Sequence, residues 1–295
     1  MRRDAEAQLA AMAVSDPASE ARWMIEEVSG MDAAEQVAEA SGFATRRATA
    51  ALDALLARRA AGEPVQYVLG TWNFCGIDLF VDRRVLIPRP ETETVTQCAI
   101  AEVERLGERV GRADPWTGSL TQYAVADLGT GSGAVALALA ASLPDAEVWA
   151  TDANADALAV AHANIAANGN LATRIRVAHG SWFEALPPDL AGTLLTIVSN
   201  PPYVAEGEAL DAAVVEWEPR DALFAGPTGM EALDHLIVGA LKWLDPAGTL
   251  VVELAPHQAD AAAARALDVG FAEVLLRPDL TGRARALVAR RRAES

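Results

Sequence analysis

A glycine-rich turn between a strand pattern and a helix pattern constrains the fold of this chain most strongly. The segment Asp127–Gly133 has the sequence DLGTGSG, follows the apolar-rich residues 123–126 and precedes the alanine- and leucine-rich residues 134–142. Strand, glycine loop and helix in this order are typical of an α/β sheet that binds a nucleotide-like ligand. Glycines let the backbone approach a ligand closely and adopt turns that a Cβ atom disfavours.

An acidic residue ends the next predicted strand of the same sheet. Asp152 closes the strand-like residues 147–152 and lies 19 positions after Gly133. A carboxylate at this position can accept hydrogen bonds from both ribose hydroxyls of a nucleoside. The acid therefore supports the interpretation of the glycine loop as a cofactor site.

The glycine loop alone does not choose between two cofactors. Gly129, Gly131 and Ala134 also satisfy the looser dinucleotide pattern G-x-G-x-x-G/A, which leaves NAD open. The close third glycine, Gly133, and the acid Asp127 before the first glycine favour S-adenosylmethionine. This cofactor has no pyrophosphate, so the loop would surround its methionine end.

A second motif ends the fourth predicted strand. Asn200-Pro201-Pro202-Tyr203 follows the apolar run 194–198, and ligands of open α/β sheets bind outside the carboxyl ends of the strands. The Asn200 side-chain carbonyl and the Pro201 backbone carbonyl can accept the two hydrogens of a planar –NH2 group beside an aromatic ring. Taken alone, the motif is equally typical of a strand that ends in a proline turn.

Strand and helix patterns alternate from residue 87 onward, which predicts a mostly parallel sheet with helices on both faces. The link 277–283 between the last two strands is too short for a helical crossover, so the last strand should be antiparallel. The expected strands are 122–128, 147–152, 173–178, 193–199, 249–254, 271–276 and 284–289, and the expected helices are 91–108, 134–143, 154–168, 230–243 and 256–269.

The expected fold class is therefore α/β, with a Rossmann-like domain built on a seven-stranded sheet over residues 87–295. Residues 1–67 show helical spacing of apolar residues and few strand signals, which predicts a small helical bundle. Residues 68–86 become strand-like around Gly76, which predicts a β-hairpin linker between the two domains.

Several segments resemble the peptide chain release factor glutamine methyltransferases, the HemK/PrmC family. The similar segments are Gly62–Gly70 (GEPVQYVLG), Leu86–Glu93 (LIPRPETE), Trp182–Glu184 and Asn200–Tyr203. Asn-Pro-Pro-Tyr also occurs in adenine-N6 DNA methyltransferases, so the segment 86–93 is the family-specific part. The resemblance runs from about Gly62 to the C terminus.

The resemblance implies a class I methyltransferase that transfers methyl from S-adenosylmethionine to the glutamine of the Gly-Gly-Gln motif in class-1 release factors. Asn200, Pro201 and Tyr203 are then the catalytic candidates, and Pro202 joins them in binding the substrate. The candidate cofactor contacts are Gly129, Thr130, Gly131, Ser132, Gly133, Asp152, Trp182 and Asn200.

The chain departs from the family pattern at two places. Ser181 precedes Trp182 where the family often has an acid, so a contact to the adenine amino group is lost or replaced. The segment 282–285 lacks the acid that the family tends to have between glycine and arginine, which affects the expected last hairpin rather than the site.

Composition excludes several classes of partner. The chain has 295 residues, 24 basic against 41 acidic side chains and a net charge of −17, which gives no counterion-release contribution for nucleic acid. Cys75 and Cys98 lack metal-ligand spacing and fit a reducing cytoplasm, and no metal is expected. No apolar run reaches the ~20 residues of a membrane span, no signal-peptide pattern opens the sequence, and we expect a monomer.

Alternative functions remain open from the residues alone. A nucleic-acid adenine or guanine N-methyltransferase, or an enzyme acting on another protein glutamine, could use the same Asn-Pro-Pro-Tyr grip. A binding protein with a vestigial pocket and a nicotinamide oxidoreductase are the rivals from other classes. Glu253 ends the fifth strand at the ligand edge, where contact with a ligand and a helix-capping role are equally compatible with its position.

Overall fold

The computed structural model describes residues 1–38, 45–106 and 123–292. The N-terminal helices are α1 (Arg2–Ala11), α2 (Pro17–Ser29), α3 (Ala33–Ala38), α4 (Arg46–Ala60) and α5 (Val65–Leu69). Helix α2 begins where the Asp16 carboxylate accepts the Ser19 amide and ends at Gly30 in the left-handed region. Leu9, Met24 and Leu56 are among the buried residues that hold these helices together. The expected N-terminal helices are therefore present.

A short hairpin follows the helices. Strands β1 (Thr71–Phe74) and β2 (Ile77–Phe80) pair antiparallel across Cys75 and Gly76, which both have positive φ (50° and 78°). Two central residues with positive φ are the mark of the tight hairpin turn that matches the twist of the strands. The strand-like pattern was expected to begin at Val68, but α5 continues to Leu69 because Gly70, at φ 76°, closes its last turn.

Helices and strands alternate through the rest of the described chain. In order they are α6 (Pro90–Leu106), β3 (Tyr123–Leu128), α7 (Ala134–Ser142), β4 (Ala146–Asp152), α8 (Ala155–Ala167), β5 (Ile175–His179), β6 (Leu194–Ser199), β7 (Val204–Ala205), α9 (Ala212–Trp217), β8 (Phe224–Gly226), α10 (Glu231–Trp243), β9 (Leu244–Glu253), α11 (Ala259–Val269), β10 (Glu273–Pro278) and β11 (Ala284–Arg290).

Seven of these strands form one sheet in the order β10-β11-β9-β6-β3-β4-β5. The strands β3, β4, β5, β6 and β9 pair in parallel, and β11 pairs antiparallel with both β9 and β10. The α/β class, the seven-stranded sheet and the antiparallel last strand are thus confirmed. The last strand lies between its two neighbours rather than at the edge of the sheet.

Three short elements after β6 were not predicted. Strands β7 and β8 pair in parallel through Val204 and Phe224, and α9 lies between them in sequence. Segments of two to six residues show too little periodicity for the sequence to indicate them. Other differences concern element ends: β9 begins at Leu244 rather than 249, and the expected end of the helix 91–108 lies outside the described residues.

Candidate active site

A cavity of about 530 Å³ opens at the carboxyl edge of the parallel strands. Its walls come from the loops after β3, β4, β5 and β6, together with the segments 84–92 and 219–222. The volume falls within the roughly 300–1,000 Å³ typical of small-molecule sites. Sequence-predicted residues that line it are Gly129, Thr130, Gly131, Ser132, Asp152, Trp182, Asn200 and Pro202.

The glycine loop owes its shape to three left-handed residues. Gly129, Gly131 and Gly133 have φ of 77°, 55° and 82°, a region that other residues adopt only with strain. The Thr151 carbonyl accepts the amides of Gly129 and Thr130 at 2.8 Å each, which joins the loop to the end of β4. A Cβ atom on Gly131 would meet no atom within 4 Å, so this part of the loop borders open space.

A buried carboxyl supports the loop from behind. Asp127 is 1% exposed and accepts hydrogen bonds from the Thr130 hydroxyl at 2.6 Å and the Ala136 amide at 3.0 Å. Burial raises the pKa of this carboxyl to about 7. These contacts fix the start of α7 against the end of β3.

Asp152 connects the loop to the predicted ribose position. One carboxylate oxygen accepts the Gly131 amide at 2.9 Å and the other accepts the Asn154 amide at 2.8 Å. Partial burial raises its pKa, an effect opposed by these backbone hydrogen bonds. Its carboxylate borders the cavity, and each oxygen retains capacity for a further hydroxyl donor.

Trp182 stands in a strained conformation beside the first glycine of the loop. Its φ of 47° lies in the left-handed region, which is rare for a bulky residue. A Cβ atom on Gly129 would lie 3.6 Å from the Trp182 ring, an ordinary van der Waals contact, so it is the φ of 77° rather than this packing that favours glycine at position 129. The neighbouring Ser181 is exposed and also lines the cavity.

Asn200 ends β6 with its two amide atoms in different surroundings. The Nδ2 group donates to the Thr92 hydroxyl oxygen at 3.1 Å, and the Thr92 hydroxyl donates to Glu253 Oε2 at 2.7 Å. Among the described residues no donor reaches Asn200 Oδ1. The carbonyl oxygen is therefore left available to a ligand.

The remaining residues of the motif lie in different positions. Pro202 lines the cavity, whereas Pro201 is buried and Tyr203 is half-buried. The Tyr203 hydroxyl donates to Glu253 Oε1 at 3.4 Å, and its backbone carbonyl accepts Gln258 Nε2 at 2.9 Å. Burial raises the pKa of the Tyr203 phenol to about 12, so it is a neutral donor at physiological pH.

Glu253 is buried behind this motif rather than facing a ligand. It is 1% exposed at the end of β9, and burial raises its pKa to about 7. The sequence left ligand contact and helix capping open; the contacts that Glu253 makes in the described residues are instead with the side chains of Thr92 and Tyr203. Because 161 residues separate Thr92 from Glu253, no local pattern indicated their pairing.

The family-like segment 86–93 is anchored at several points around the cavity. Arg89 forms an ion pair with the buried Glu218, which also accepts the Ile87 amide at 3.2 Å. Glu93 accepts the Cys75 amide at the hairpin turn at 2.9 Å. These links connect the cavity wall to the hairpin and to the segment after α9, a role that the sequence did not indicate for Glu218.

The described residues contain no group of three or more histidine, cysteine or acidic side chains placed to hold a metal ion. Within the same part of the chain, no helix is both long and apolar enough to cross a membrane.

A sheet in this order, with a glycine loop after β3 and an acid at the end of β4, defines the class I methyltransferases. The methyl donor of this class is S-adenosylmethionine. Two family models match the chain: the PrmC N-terminal domain over residues 1–70 and the methyltransferase small domain over residues 117–217.

Proteins named release factor glutamine methyltransferase are similar over nearly the whole chain. The one from Bordetella pertussis is 40% identical over 90% of this chain and 92% of its own length. The one from Cereibacter sphaeroides is 37% identical over 98% of this chain and 96% of its own. The chain therefore belongs to the release factor glutamine methyltransferase family, as its sequence motifs predicted.

Solved structures agree with the fold. The hMettl16 catalytic domain in complex with MAT2A 3'UTR hairpin 1 superposes with a TM-score of 0.55 at 18% identity, over 82% of this chain and 81% of that one. A methyltransferase from Pyrococcus furiosus gives 0.50 at 19% identity, over 74% and 90%. These likenesses concern the fold alone. Membership of the family, with the matching methyltransferase domain, makes the chain an S-adenosylmethionine-dependent methyltransferase, and the oxidoreductase and binding-protein alternatives are not favoured.

Proposed function

We propose that this protein methylates the side-chain amide nitrogen of the glutamine in the Gly-Gly-Gln motif of class-1 release factors. The observation that carries the proposal is that Asn200 lines the cavity with its amide nitrogen bound to Thr92, while no donor among the described residues reaches its amide oxygen. An available carbonyl oxygen suits an acceptor that presents N–H donors. The names of the relatives supply the substrate, since the residues themselves indicate only an –NH2 group.

The cavity residues fit S-adenosylmethionine as the resident cofactor. Gly129 to Ser132, Asp152 and Trp182 would hold it, with the ribose hydroxyls on the Asp152 carboxylate. Gly133, expected as a further contact, packs beside Ala161 and is not among the residues that line the cavity. The open space beside Gly131 would be filled by a side chain at that position, and its φ of 55° also favours glycine there. The bound cofactor would supply a methyl group on a sulfonium, which is already activated for transfer.

The protein's own contribution is to orient the acceptor. A carboxamide nitrogen is a poor nucleophile because its lone pair is delocalised into the carbonyl. Asn200 Oδ1 and the Pro201 carbonyl would each accept one N–H, so the remaining direction of the nitrogen faces the cofactor. Tyr203 would stack on the flat amide, with Pro202 beside it. Orientation of this kind removes up to ~7–11 kcal/mol of barrier in favourable cases.

No general base is required in this scheme. The methylated amide nitrogen carries a positive charge and loses its proton readily to water. The histidine that lines the cavity, His179, has its Nε2 at 2.9 Å from the Ala153 carbonyl on the cofactor side. It is therefore placed to support the loop after β4 rather than to accept a proton beside Asn200.

The net charge of −17 favours a protein substrate over nucleic acid, because an acidic surface repels phosphate. We propose that the protein acts as a monomer in the cytoplasm, where release factors act. The N-terminal helices, residues 1–67, are proposed as a separate domain, and residues 68–86 as the linker to the methyltransferase domain 87–295. The linker packs into the core of that domain, because Phe74 and Leu79 share a buried cluster with Val125.

The proposed function is tested by transfer of radiolabelled methyl to purified release factor, beside plasmid DNA and ribosomes. We expect label on release factor alone, and none on a variant whose Gly-Gly-Gln glutamine is replaced by alanine. Label on DNA, or equal label on the glutamine-free variant, would show that the acceptor is different.

A further inference from the structure

We propose that Thr92 and Glu253 are positioning residues that fix the Asn200 amide with its oxygen toward the acceptor nitrogen. The inference rests on the proposed function, because it concerns how the same site holds its –NH2 acceptor. It assigns a reason for the buried Glu253, which does not line the cavity, and for the buried Thr92, which lines it beside Asn200. The three side chains come from α6, β9 and the end of β6.

The direction of the hydrogen bonds carries the argument. An ionised carboxylate only accepts, so Glu253 Oε2 orients the single proton of the Thr92 hydroxyl toward itself at 2.7 Å. The Thr92 oxygen then has only lone pairs left for Asn200, at 3.1 Å. Only the –NH2 end of the Asn200 amide can meet a lone pair, so the carbonyl end must face the other way.

The orientation of Asn200 matters because the two ends of its amide have opposite hydrogen-bonding character. With Oδ1 at the cavity, Asn200 accepts an N–H of the substrate. With the amide turned over, its –NH2 group would oppose the –NH2 of the glutamine, and neither could accept. A residue that prevents this turn therefore acts on the reaction through Asn200.

Burial of the Glu253 carboxylate carries a desolvation cost, and packing alone does not require an acidic side chain at this position. Glu253 is 1% exposed and Thr92 4%. The charged groups that influence Glu253 are Arg285 on β11, which favours its ionised form, and Glu91 on α6, which opposes it; Tyr203 donates to its second oxygen. A buried carboxylate is costly unless it is paired and hydrogen-bonded. Here the hydrogen bonds come from Thr92 and Tyr203.

The first experiment deletes the Thr92 hydroxyl and keeps its shape. In Thr92→Val we expect the single-turnover rate of methyl transfer to release factor to fall about tenfold, the effect of one lost orienting hydrogen bond. The dissociation constant of S-adenosylmethionine should stay within twofold of wild type. Thr92→Ser, which restores the hydroxyl, should recover most of the rate.

The matched control lies one turn further along the same helix. Thr96 is 0% exposed and its hydroxyl donates to the Thr92 carbonyl at 2.9 Å, so Thr96→Val removes a buried hydroxyl of the same kind. We expect this variant to keep a rate near wild type. If Thr92→Val is no slower than Thr96→Val, or if Thr92→Ser fails to recover the rate, the positioning role is overturned.

A second experiment changes the acceptor at the start of the chain of hydrogen bonds. Glu253→Gln can turn its –NH2 toward Thr92, and the hydroxyl proton is then free to bond Asn200 Oδ1 instead. We expect Glu253→Gln to transfer methyl more slowly than wild type. The wild-type rate should rise with pH through neutrality, whereas the rate of Glu253→Gln should not. A variant with the wild-type rate and the same pH profile would overturn the inference.

These outcomes are distinct from failure of the proposed function. If wild-type protein does not methylate release factor, the proposed substrate is wrong. If wild type methylates it, Asn200→Ala abolishes transfer and Thr92→Val leaves it intact, only the positioning role fails.

Discussion

The two halves of the cavity are built in different ways. In the cofactor half, the hydrogen bonds accepted by Asp127 and Asp152 join residues 2 to 21 positions apart. Most of these bonds come from backbone amides, such as those of Gly131 and Ala136. In the acceptor half, the Asn200–Thr92, Thr92–Glu253 and Tyr203–Glu253 links span 108, 161 and 50 residues and join side chain to side chain. These acceptor-half hydrogen bonds do not involve the glycine loop or Asp152, so a change in the acceptor half should affect transfer more than cofactor binding.

The halves nevertheless meet at the end of β6. The Ser199 hydroxyl donates to the Leu128 carbonyl at 2.6 Å, which fixes the end of β6 against the start of the glycine loop. A separate link ties the glycine loop to the hairpin: Asn164 Nδ2 donates to the Ser132 carbonyl at 2.8 Å, and Asn164 Oδ1 accepts the Phe80 amide at 2.7 Å. A change at Ser199 is thus expected to affect both halves.

The largest expected effect concerns the acceptor half. Asn200→Ala should lower the rate of methyl transfer to release factor by ~10²–10³, by analogy with the loss of one preorganised contact in an oxyanion hole. Cofactor affinity, measured by calorimetry, should change little because the glycine loop and Asp152 remain. Near-normal turnover in Asn200→Ala would contradict the proposal that Asn200 binds the glutamine amide.

Asn200→Asp is the sharper companion variant. It keeps an oxygen acceptor of nearly the same shape but adds a negative charge beside the predicted sulfonium position. We expect low turnover together with cofactor affinity that is kept or raised. A loss of cofactor affinity in this variant would contradict the separation between the two halves.

The next effect concerns the stability of the same half. Burial raises the pKa of Glu253 from 4.5 to about 7, so the folded protein binds more protons than the unfolded chain between these values. The free energy of unfolding should therefore fall as pH rises through this window. Between pH 5 and pH 8, Glu253→Gln should lose less stability than wild type, by up to about 3 kcal/mol.

Chemical denaturation of both proteins at the two pH values measures this difference. Asp127, whose pKa is also raised to about 7, contributes the same sign in both proteins and cancels in the comparison. If Glu253→Gln loses less stability with rising pH and also transfers methyl more slowly, Glu253 favours transfer at a cost in the free energy of unfolding. An identical pH dependence in the two proteins would contradict the raised pKa.

A change in the cofactor half should have the opposite selectivity. Asp152→Ala should weaken S-adenosylmethionine binding by about 1.5–3 kcal/mol, the contribution of charge-assisted hydrogen bonds. Because the two oxygens of Asp152 also accept the Gly131 amide at 2.9 Å and the Asn154 amide at 2.8 Å, Asp152→Asn is the needed control, since its single oxygen can keep one of these bonds without the charge. Calorimetry that shows unchanged affinity in both variants would exclude Asp152 as the ribose ligand.

The difference between the halves also explains what the sequence could predict. Asp127–Gly133 is a contiguous motif and Asp152 follows it by 19 positions at the end of the next strand, so the cofactor site was visible in the sequence and S-adenosylmethionine was favoured. The fold class followed from the alternation of strand and helix patterns. Asn200 was evident as the end of a strand, but its partners Thr92 and Glu253 were not. Their contacts depend on how α6 packs over β6 and β9, and no sequence periodicity describes side-chain pairs across such distances.

The same reasoning applies to Glu218, which was not predicted. It lies in a segment with no repeated pattern, and its ion pair with Arg89 joins positions 129 residues apart. Family resemblance pointed to the segment 86–93 as distinctive without explaining it. The structure supplies the reason, since that segment is bound to the hairpin, to Glu218 and, through Thr92, to the acceptor half.

The smallest expected effect tests the departure at Ser181. This residue is exposed, lines the cavity and makes no side-chain hydrogen bond at the start of the helical turn that begins with Trp182. Replacing it therefore breaks no side-chain hydrogen bond within the part of the chain that the structure describes. Ser181→Asp would add an acceptor for the adenine amino group and should tighten cofactor binding about two- to tenfold, the contribution of one net hydrogen bond.

A matched pair of ligands isolates that contact. S-adenosylhomocysteine carries the amino group, whereas S-inosylhomocysteine has a carbonyl oxygen in its place and cannot donate to a carboxylate there. Because an added acid near Asp152 also changes the local charge, any electrostatic effect should appear with both ligands and diminish with salt. If Ser181→Asp binds only S-adenosylhomocysteine more tightly, position 181 contacts the adenine amino group. If both ligands bind equally more tightly, or neither does in a folded variant, the amino group lies elsewhere.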